Sequence, residues 1–374
     1  MDHSLTFNPM LGVLSPGMQF VLWSAVKIAV LMGVVLTLVA YSVLAERKIS
    51  AFIQDRVGPN RTSIPWVAAI PVLGPFLVRL GIFQPLADGV KFLLKEDFTP
   101  AHVRKVYFWL APAIAMVPAM LTFAVIPFGS QIGDQKMVIA DLNVGILYTF
   151  GIVSLGVYGI VLAGYASNSK YPFLGGIRSS AQMISYEIAM GMSVIPVFLL
   201  VGDLNLSSVI NYQTGGLQHW LIFKVPISFL IFLIAAFAET NRLPFDLPES
   251  ETELVAGYHT EYSSMKFALF FLGEYANMIA ASAMMVTLFL GGWTLPFGGL
   301  DQPAQTLLVG VLHIGIFLAK ILVLMVVFIW VRWMWPRFRY DQLMDLGWRR
   351  FIPLALVNIF ITAVILWLRA KSAN

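Results

Sequence analysis

Three glutamates, Glu187, Glu239 and Glu274, stand within or at the ends of long apolar runs. Six of the chain's 20 acidic residues crowd the stretch Ala238 to Tyr262, AETNRLPFDLPESETELVAGYHTEY, where Arg242 is the sole arginine. A charge at the centre of a membrane helix costs roughly 2.5–3.5 kcal/mol on insertion scales, so such residues face a bundle interior with water or partner groups. Low dielectric disfavours the ionised form of a carboxyl, which suits it to exchanging protons. Proton transfer is therefore the chemistry these residues could do. Each acid could instead be a neutral, hydrogen-bonded glutamate tying helices together. Met190 and Gly191 follow Glu187 at i+3 and i+4 and offer no side-chain partner, whereas Asn277 stands at i+3 from Glu274. In the acidic stretch, a short helix starting near Pro248 would account for Glu249 and Glu251, which the helix dipole favours in a first turn. It would leave four acids unexplained.

Other chemistry has little foothold. The chain has no cysteine, which removes Fe–S ligation, zinc-thiolate sites and disulfides together. Of five histidines only His313 lies in a long apolar run, so a bis-histidine haem is not expected. No GxGxxG, P-loop or HExxH motif occurs. No metal site and no nucleic-acid partner are expected, and any redox centre must belong to another chain.

The elements that hold these acids must be membrane helices. The 374 residues are 59% hydrophobic and 12% charged, with a mean hydropathy of +0.80. Soluble domains carry about 25% charge. A spanning helix needs about 20 apolar residues. Eight runs qualify, at 20–44, 106–128, 143–165, 181–202, 220–239, 266–289, 305–330 and 352–369, within one membrane domain covering 1–374. The first run is too long for a signal peptide and lacks a basic leader, so it is expected to remain.

With eight spans, the loops at 45–105, 166–180, 240–265 and 331–351 share one side and hold 17 of the 24 basic residues. The positive-inside rule puts them in the cytoplasm and both termini outside. A ninth apolar run, Ile64 to Phe83, contains Pro65, Pro71, Pro75 and Arg79. Counting it as a span would move Arg332 to Arg350 outside, so it is expected to be re-entrant or interfacial. Gln84 to Glu96 reads as a short amphipathic helix in the interface plane. Arg47, Lys48 and Arg56 could anchor the inner end of the first helix, although Glu46 and Asp55 make that cluster mixed. Lys27 could snorkel to the outer interface, and Lys320 could pair with a carboxylate or an adjoining subunit.

The acidic stretch, together with AERKISAFIQDRVGPNR (45–61), QPLADGVKFLLKED (84–97), SYE (185–187) and GEYANM (273–278), closely resembles the quinone-tunnel membrane subunit of proton-pumping respiratory NADH-quinone oxidoreductase. That resemblance implies an all-α polytopic fold of about eight spans in the bacterial inner membrane, with a long structured first loop. It implies quinone (ubiquinone) as substrate, with FMN and Fe–S clusters held only by partner subunits. The partners would be the membrane-arm subunits and the soluble quinone module. Glu187, Glu239 and Glu274 match glutamates leading from the quinone cavity into the membrane arm, with Glu46 and Asp88 near the cavity. Arg47, Arg56, Arg242, Asp246, Glu249, Glu251 and Glu253 match positions lining it. Residues 62–80 look like a partial insertion relative to the family. Ser250 and Ser264 replace residues that are usually Ala and Gly, and Gly273 stands where Ala is common. Two rival readings are the homologous subunit of a membrane-bound hydrogenase and a freestanding proton or cation transporter.

Overall fold

The computed structural model describes residues 16–373 apart from 69, 72, 134 and 298, and leaves aside the side chains of 16, 19, 20, 251, 252 and 373. Its helices are α1 (Pro16–Ile53), α2 (Pro65–Ala68), α3 (Leu73–Leu80), α4 (Gln84–Leu94), α5 (Lys105–Thr122), α6 (Gly145–Ala166), α7 (Lys170–Val201) and α8 (Leu206–Tyr212). Then follow α9 (Leu221–Lys224), α10 (Pro226–Glu239), α11 (Glu251–Leu254), α12 (Ser264–Phe289), α13 (Leu307–Met334), α14 (Tyr340–Asp345) and α15 (Ile352–Ala373). Among the described residues the only sheet is a two-residue antiparallel hairpin pairing Gln131–Ile132 with Gln135–Lys136. The chain is an all-α polytopic membrane protein, with seven helices among the described residues long and apolar enough to span.

The fifth expected span, 220–239, is helical but broken. Val225 leaves the helical region (φ −133°, ψ 62°) before Pro226, since the residue preceding proline is disfavoured there, and this separates α9 from α10. At 14 residues, α10 covers about 21 Å, short of a hydrocarbon core of about 30 Å. Several helices also run past the apolar runs. The first continues to Ile53 through Glu46, Arg47 and Lys48, all good helix formers, so the mixed-charge block is a projecting helix end. The fourth starts at Lys170, with Pro172 tolerated in its first turn. The run from Ile64 to Phe83 forms only the short helices α2 and α3 among its described residues.

Packing places α12 at the centre. Two-thirds of its apolar window is buried (67%), against 22% for α1, so α12 is enclosed and α1 stands at the rim. The main core joins α1, α7, α10, α12 and α13 through residues such as Tyr186, Phe232, Met278, Phe289 and Phe328. The stretch after α10 folds tightly against this bundle rather than trailing away. Gly257, at φ +58°, lies where a Cβ would strike the Pro248 carbonyl, so its backbone turn requires glycine.

Candidate functional site

At one end of the bundle, α1, α12 and α13 converge on Arg242, three residues beyond α10. Its Nη1 lies 3.1 Å from Glu46 Oε2 and its Nε lies 2.7 Å from Glu274 Oε1. The guanidinium stacks over the Tyr275 ring, 4.3 Å from the centroid. The Tyr275 hydroxyl donates to Glu46 Oε2 at 2.5 Å, and Arg332 at the inner end of α13 donates to Glu46 Oε1. Two carboxylates thus face two guanidiniums in a largely buried cluster. Pairing of this kind offsets desolvation only with good geometry and added hydrogen bonds, and Tyr275 supplies one.

The acidic loop is sewn to its surroundings at three points. The buried Gln182 amide of α7 donates to the Ala238 carbonyl at 2.8 Å and the Phe245 carbonyl at 2.7 Å. Arg337 holds Asp246 at 2.9 Å, while the Phe338 N–H donates to the Pro244 carbonyl at 3.1 Å. Arg178 holds Glu253 at 2.7 Å nearer the surface. Glu249 and His259 approach to 3.9 Å, which invites reading them as an ion pair. Burial, with Glu274 and Asp246 nearby, pushes the Glu249 carboxyl well above the usual range, and burial lowers His259 to about 4. At neutral pH His259 is therefore uncharged, and the contact is not an ion pair.

Glu239 and Glu274 line one small cavity of about 30 Å³, along with Asn277, Tyr258 and Asn241. That is room for one or two waters. Both Glu239 carboxyl oxygens are buried there without a hydrogen-bond partner among the described residues. Buried polar atoms are rarely left so, and each such case calls for an explanation. Glu187 on α7 is half-buried, within reach of the Ser154 hydroxyl of α6.

The residues singled out from sequence therefore separate into groups. Glu46, Arg242 and Glu274 touch, Glu239 shares a cavity with Glu274, and Asp246 and Glu249 lie in the loop packed beside them. Arg47, Arg56 and Asp88 stand elsewhere. Arg47 pairs with Asp88 at 2.9 Å, and Arg56 donates to the Gln54 amide oxygen at 2.7 Å. Both arginines line an open cleft of about 420 Å³ with Arg61 and Gln84. Glu253 lies at the surface, and the Glu251 side chain falls outside the described part.

Sequence reasoning missed Arg332, Arg337, Tyr275 and Gln182. The signal was the charge imbalance of 238–262, whose missing cations lie in the 331–351 segment. Lys320 meets no carboxylate: its ammonium donates to the Leu290, Gly292 and Thr294 carbonyls at 2.7–2.9 Å. Lys27 donates to the Lys136 carbonyl at 2.8 Å rather than only snorkelling outward. Among the described residues no group of three or more histidine or acidic side chains is placed to hold a metal ion.

The model of the NADH dehydrogenase family matches residues 26–363. The H 1 subunit of NADH-quinone oxidoreductase from Geobacter metallireducens is 50% identical over 347 residues, covering 92% of this chain and 96% of the relative. Its namesake from Cytophaga hutchinsonii is 47% identical over 351 residues, with the same coverage. NADH-quinone oxidoreductase subunit 8 of Rhodothermus marinus is 47% identical over 349 residues, covering 91% of this chain and 96% of that one. The chain belongs to the NADH dehydrogenase family, in company with the H subunits of NADH-quinone oxidoreductase.

Proposed function

We propose that this chain is the membrane subunit of a proton-translocating NADH-quinone oxidoreductase that forms much of the quinone tunnel and couples quinone reduction to pumping. The observation that carries the reading is Arg242, bound to Glu46 on one side and Glu274 on the other, at the foot of the acidic loop. A change of charge in a cavity beside this loop alters the balance between those two carboxylates. Glu239, unpartnered in the cavity it shares with Glu274, is the next acceptor inward, and Glu187 follows. Quinone, ubiquinone in the first instance, is the substrate. FMN and Fe–S clusters belong to partner subunits, and the soluble quinone module covers the inner face. The relatives' names favour this reading over the hydrogenase subunit and the freestanding transporter.

The membrane is the bacterial inner membrane, with the basic loops in the cytoplasm. Reporter fusions after Gly129 and Gly292 are expected to read outside, and fusions at Gln54 and Arg339 inside. A cytoplasmic signal at Gly129 refutes the eight-span arrangement.

The relay is tested by glutamine at 187, 239 and 274, which preserves size and much hydrogen bonding but cannot titrate. The complexes should assemble, while quinone reduction and proton uptake in membrane vesicles fall together. Full rate with full pumping in all three variants overturns the relay.

A further inference from the structure

The stretch between Arg61 and Gln84 plays no part in the buried cluster, yet it is firmly built. Gly74 lies where a Cβ would meet the Val67 and Ala68 carbonyls at 2.6 Å, so α3 packs backbone to backbone on α2. Gly81, at φ +71°, lies against the Pro59 carbonyl and near the Leu44 side chain of α1. Lys48 of α1 donates to the Arg79 carbonyl at 3.0 Å and the Val57 carbonyl at 3.3 Å. Thr62 bonds Gln84 at the start of α4. The hairpin is thus clamped to the inner end of a membrane-spanning helix.

Its other face is apolar and uncovered. Leu73, Phe76 and Leu80 recur at helical spacing along α3 and are 44–58% exposed, and Trp66 on α2 is 85% exposed. Leu86, Val90 and Leu93 on α4 extend the exposed apolar surface. Exposed apolar side chains gathered on short helices in this way mark a contact surface. No acid occurs from Thr62 to Phe83, and the one charge there is Arg79, with Arg61 just before it. Aromatic and aliphatic side chains with flanking arginines, on short helices at the end of a span, are the composition of an element lying in the headgroup–acyl boundary. The arginine-lined cleft opens at the same place, between Arg61 and Gln84.

We propose that the described residues between 62 and 80, with α2 and α3, form an in-plane membrane lip. Trp66, Leu73, Phe76 and Leu80 enter the inner leaflet, and Arg61 and Arg79 hold the phosphates of anionic phospholipids. The occupant is the bilayer rather than a protein partner, because the stretch carries no acid, pairs exposed apolar side chains with Arg61 and Arg79, and is held by Lys48 to the end of a helix long and apolar enough to span. The proposal depends on the chain spanning a membrane and not on the quinone reading.

The test places p-benzoylphenylalanine at position 66 or 76 of the chain in the assembled complex, with position 30 on α1 as a lipid-facing control. After irradiation in native membranes, mass analysis of the isolated chain should show phospholipid adducts at all three positions. A crosslink from 66 or 76 to another polypeptide overturns the lip, as does labelling at 30 alone. In vesicles of phosphatidylcholine mixed with phosphatidylglycerol, adducts at 76 should favour phosphatidylglycerol by about fivefold, the gain expected from one interfacial arginine. That preference should disappear in R61Q/R79Q. Equal labelling of both lipids by the parent complex overturns the role of the arginines.

Discussion

The Arg242 guanidinium lies 2.7 Å from Glu274, and its far nitrogen lies 3.1 Å from Glu46, so one cation joins α1 to α12. Removing one partner of a buried pair leaves the other charge uncompensated, at a cost of about 3–5 kcal/mol. Arg242→Ala should therefore lower the thermal stability of the complex and the amount assembled. Arg242→Lys keeps the charge but loses the fork that serves two carboxylates. It should assemble and show reduced quinone reductase activity. An Arg242→Ala complex as stable as the parent would remove this arginine from the core of the site.

Asp246 and Arg337 clasp the acidic loop to the segment between α13 and α14 at 2.9 Å. Asp246→Ala should impair quinone reduction while NADH oxidation with artificial acceptors persists, the upstream centres lying in other chains on the proposed reading. Arg337→Gln should do the same. In a double-mutant cycle the combined variant should fall no further than the worse single, because both remove one contact. Simple additivity would mean that the two residues act separately. Glu251→Ala belongs in the same assay.

The helical architecture and the inward acids were legible because membrane spans and intramembrane carboxylates stand out in any hydropathy pattern. Glu239 and Glu274 were found that way, and they do share a cavity. The partners were not legible. Arg332 and Arg337 read as ordinary loop-side charges, and only tertiary packing brings Arg337 to Asp246, 91 residues away, and Arg332 to Glu46, 286 residues away. Arg47, next to Glu46 in sequence, lines a separate open cleft instead, because adjacent residues on a helix face different sides, and Arg56, beyond the end of α1, lines the same cleft. Ser264 sits at φ +54°, a conformation that favours the glycine usual there, and its hydroxyl is directed at the Phe92 and Lys95 carbonyls at 3.0 Å. The departure from the family pattern thus comes with a contact to the end of α4.

His259 makes the acidic loop sensitive to acid. Its ring is buried among Tyr258, Phe267 and Phe271, and burial lowers its pKa from the usual 6.5 to about 4. A folded pKa below the unfolded one means that the native loop binds fewer protons. Its stabilising share is complete above about pH 6.5 and declines as pH falls towards 4. Over that window the loss approaches about 3 kcal/mol. Hydrogen exchange of residues 250–262 should quicken between pH 6.5 and 4, and His259→Phe should flatten the change. Equal acid response in both proteins would show that the sensitivity lies in Glu249 and its neighbours instead.

At the C-terminal end of α12, Lys320 reaches from α13 to the Leu290, Gly292 and Thr294 carbonyls at 2.7, 2.9 and 2.7 Å, with its Nζ 4.5 Å from the Trp220 ring centroid. An ammonium has three protons and no acceptor site, so three carbonyls use it fully, whereas a neutral amine has only two to give. The charge is thus fixed at the carbonyl end of a helix, where the helix dipole favours a cation. Lys320→Met removes the donors and leaves up to three carbonyls unsatisfied in an apolar setting, at about 1–3 kcal/mol for each one that stays buried. The turn after α12 should loosen and the complex should melt earlier. Lys320→Arg retains charge and donors, but its planar fork cannot converge on three carbonyls around one nitrogen, so an intermediate loss is expected. If Lys320 instead served a carboxylate of another subunit, arginine would replace it well and methionine would detach that subunit without loosening the turn. Hydrogen exchange of residues 288–296, measured beside subunit retention, separates the two cases, and unchanged exchange in Lys320→Met would refute the cap.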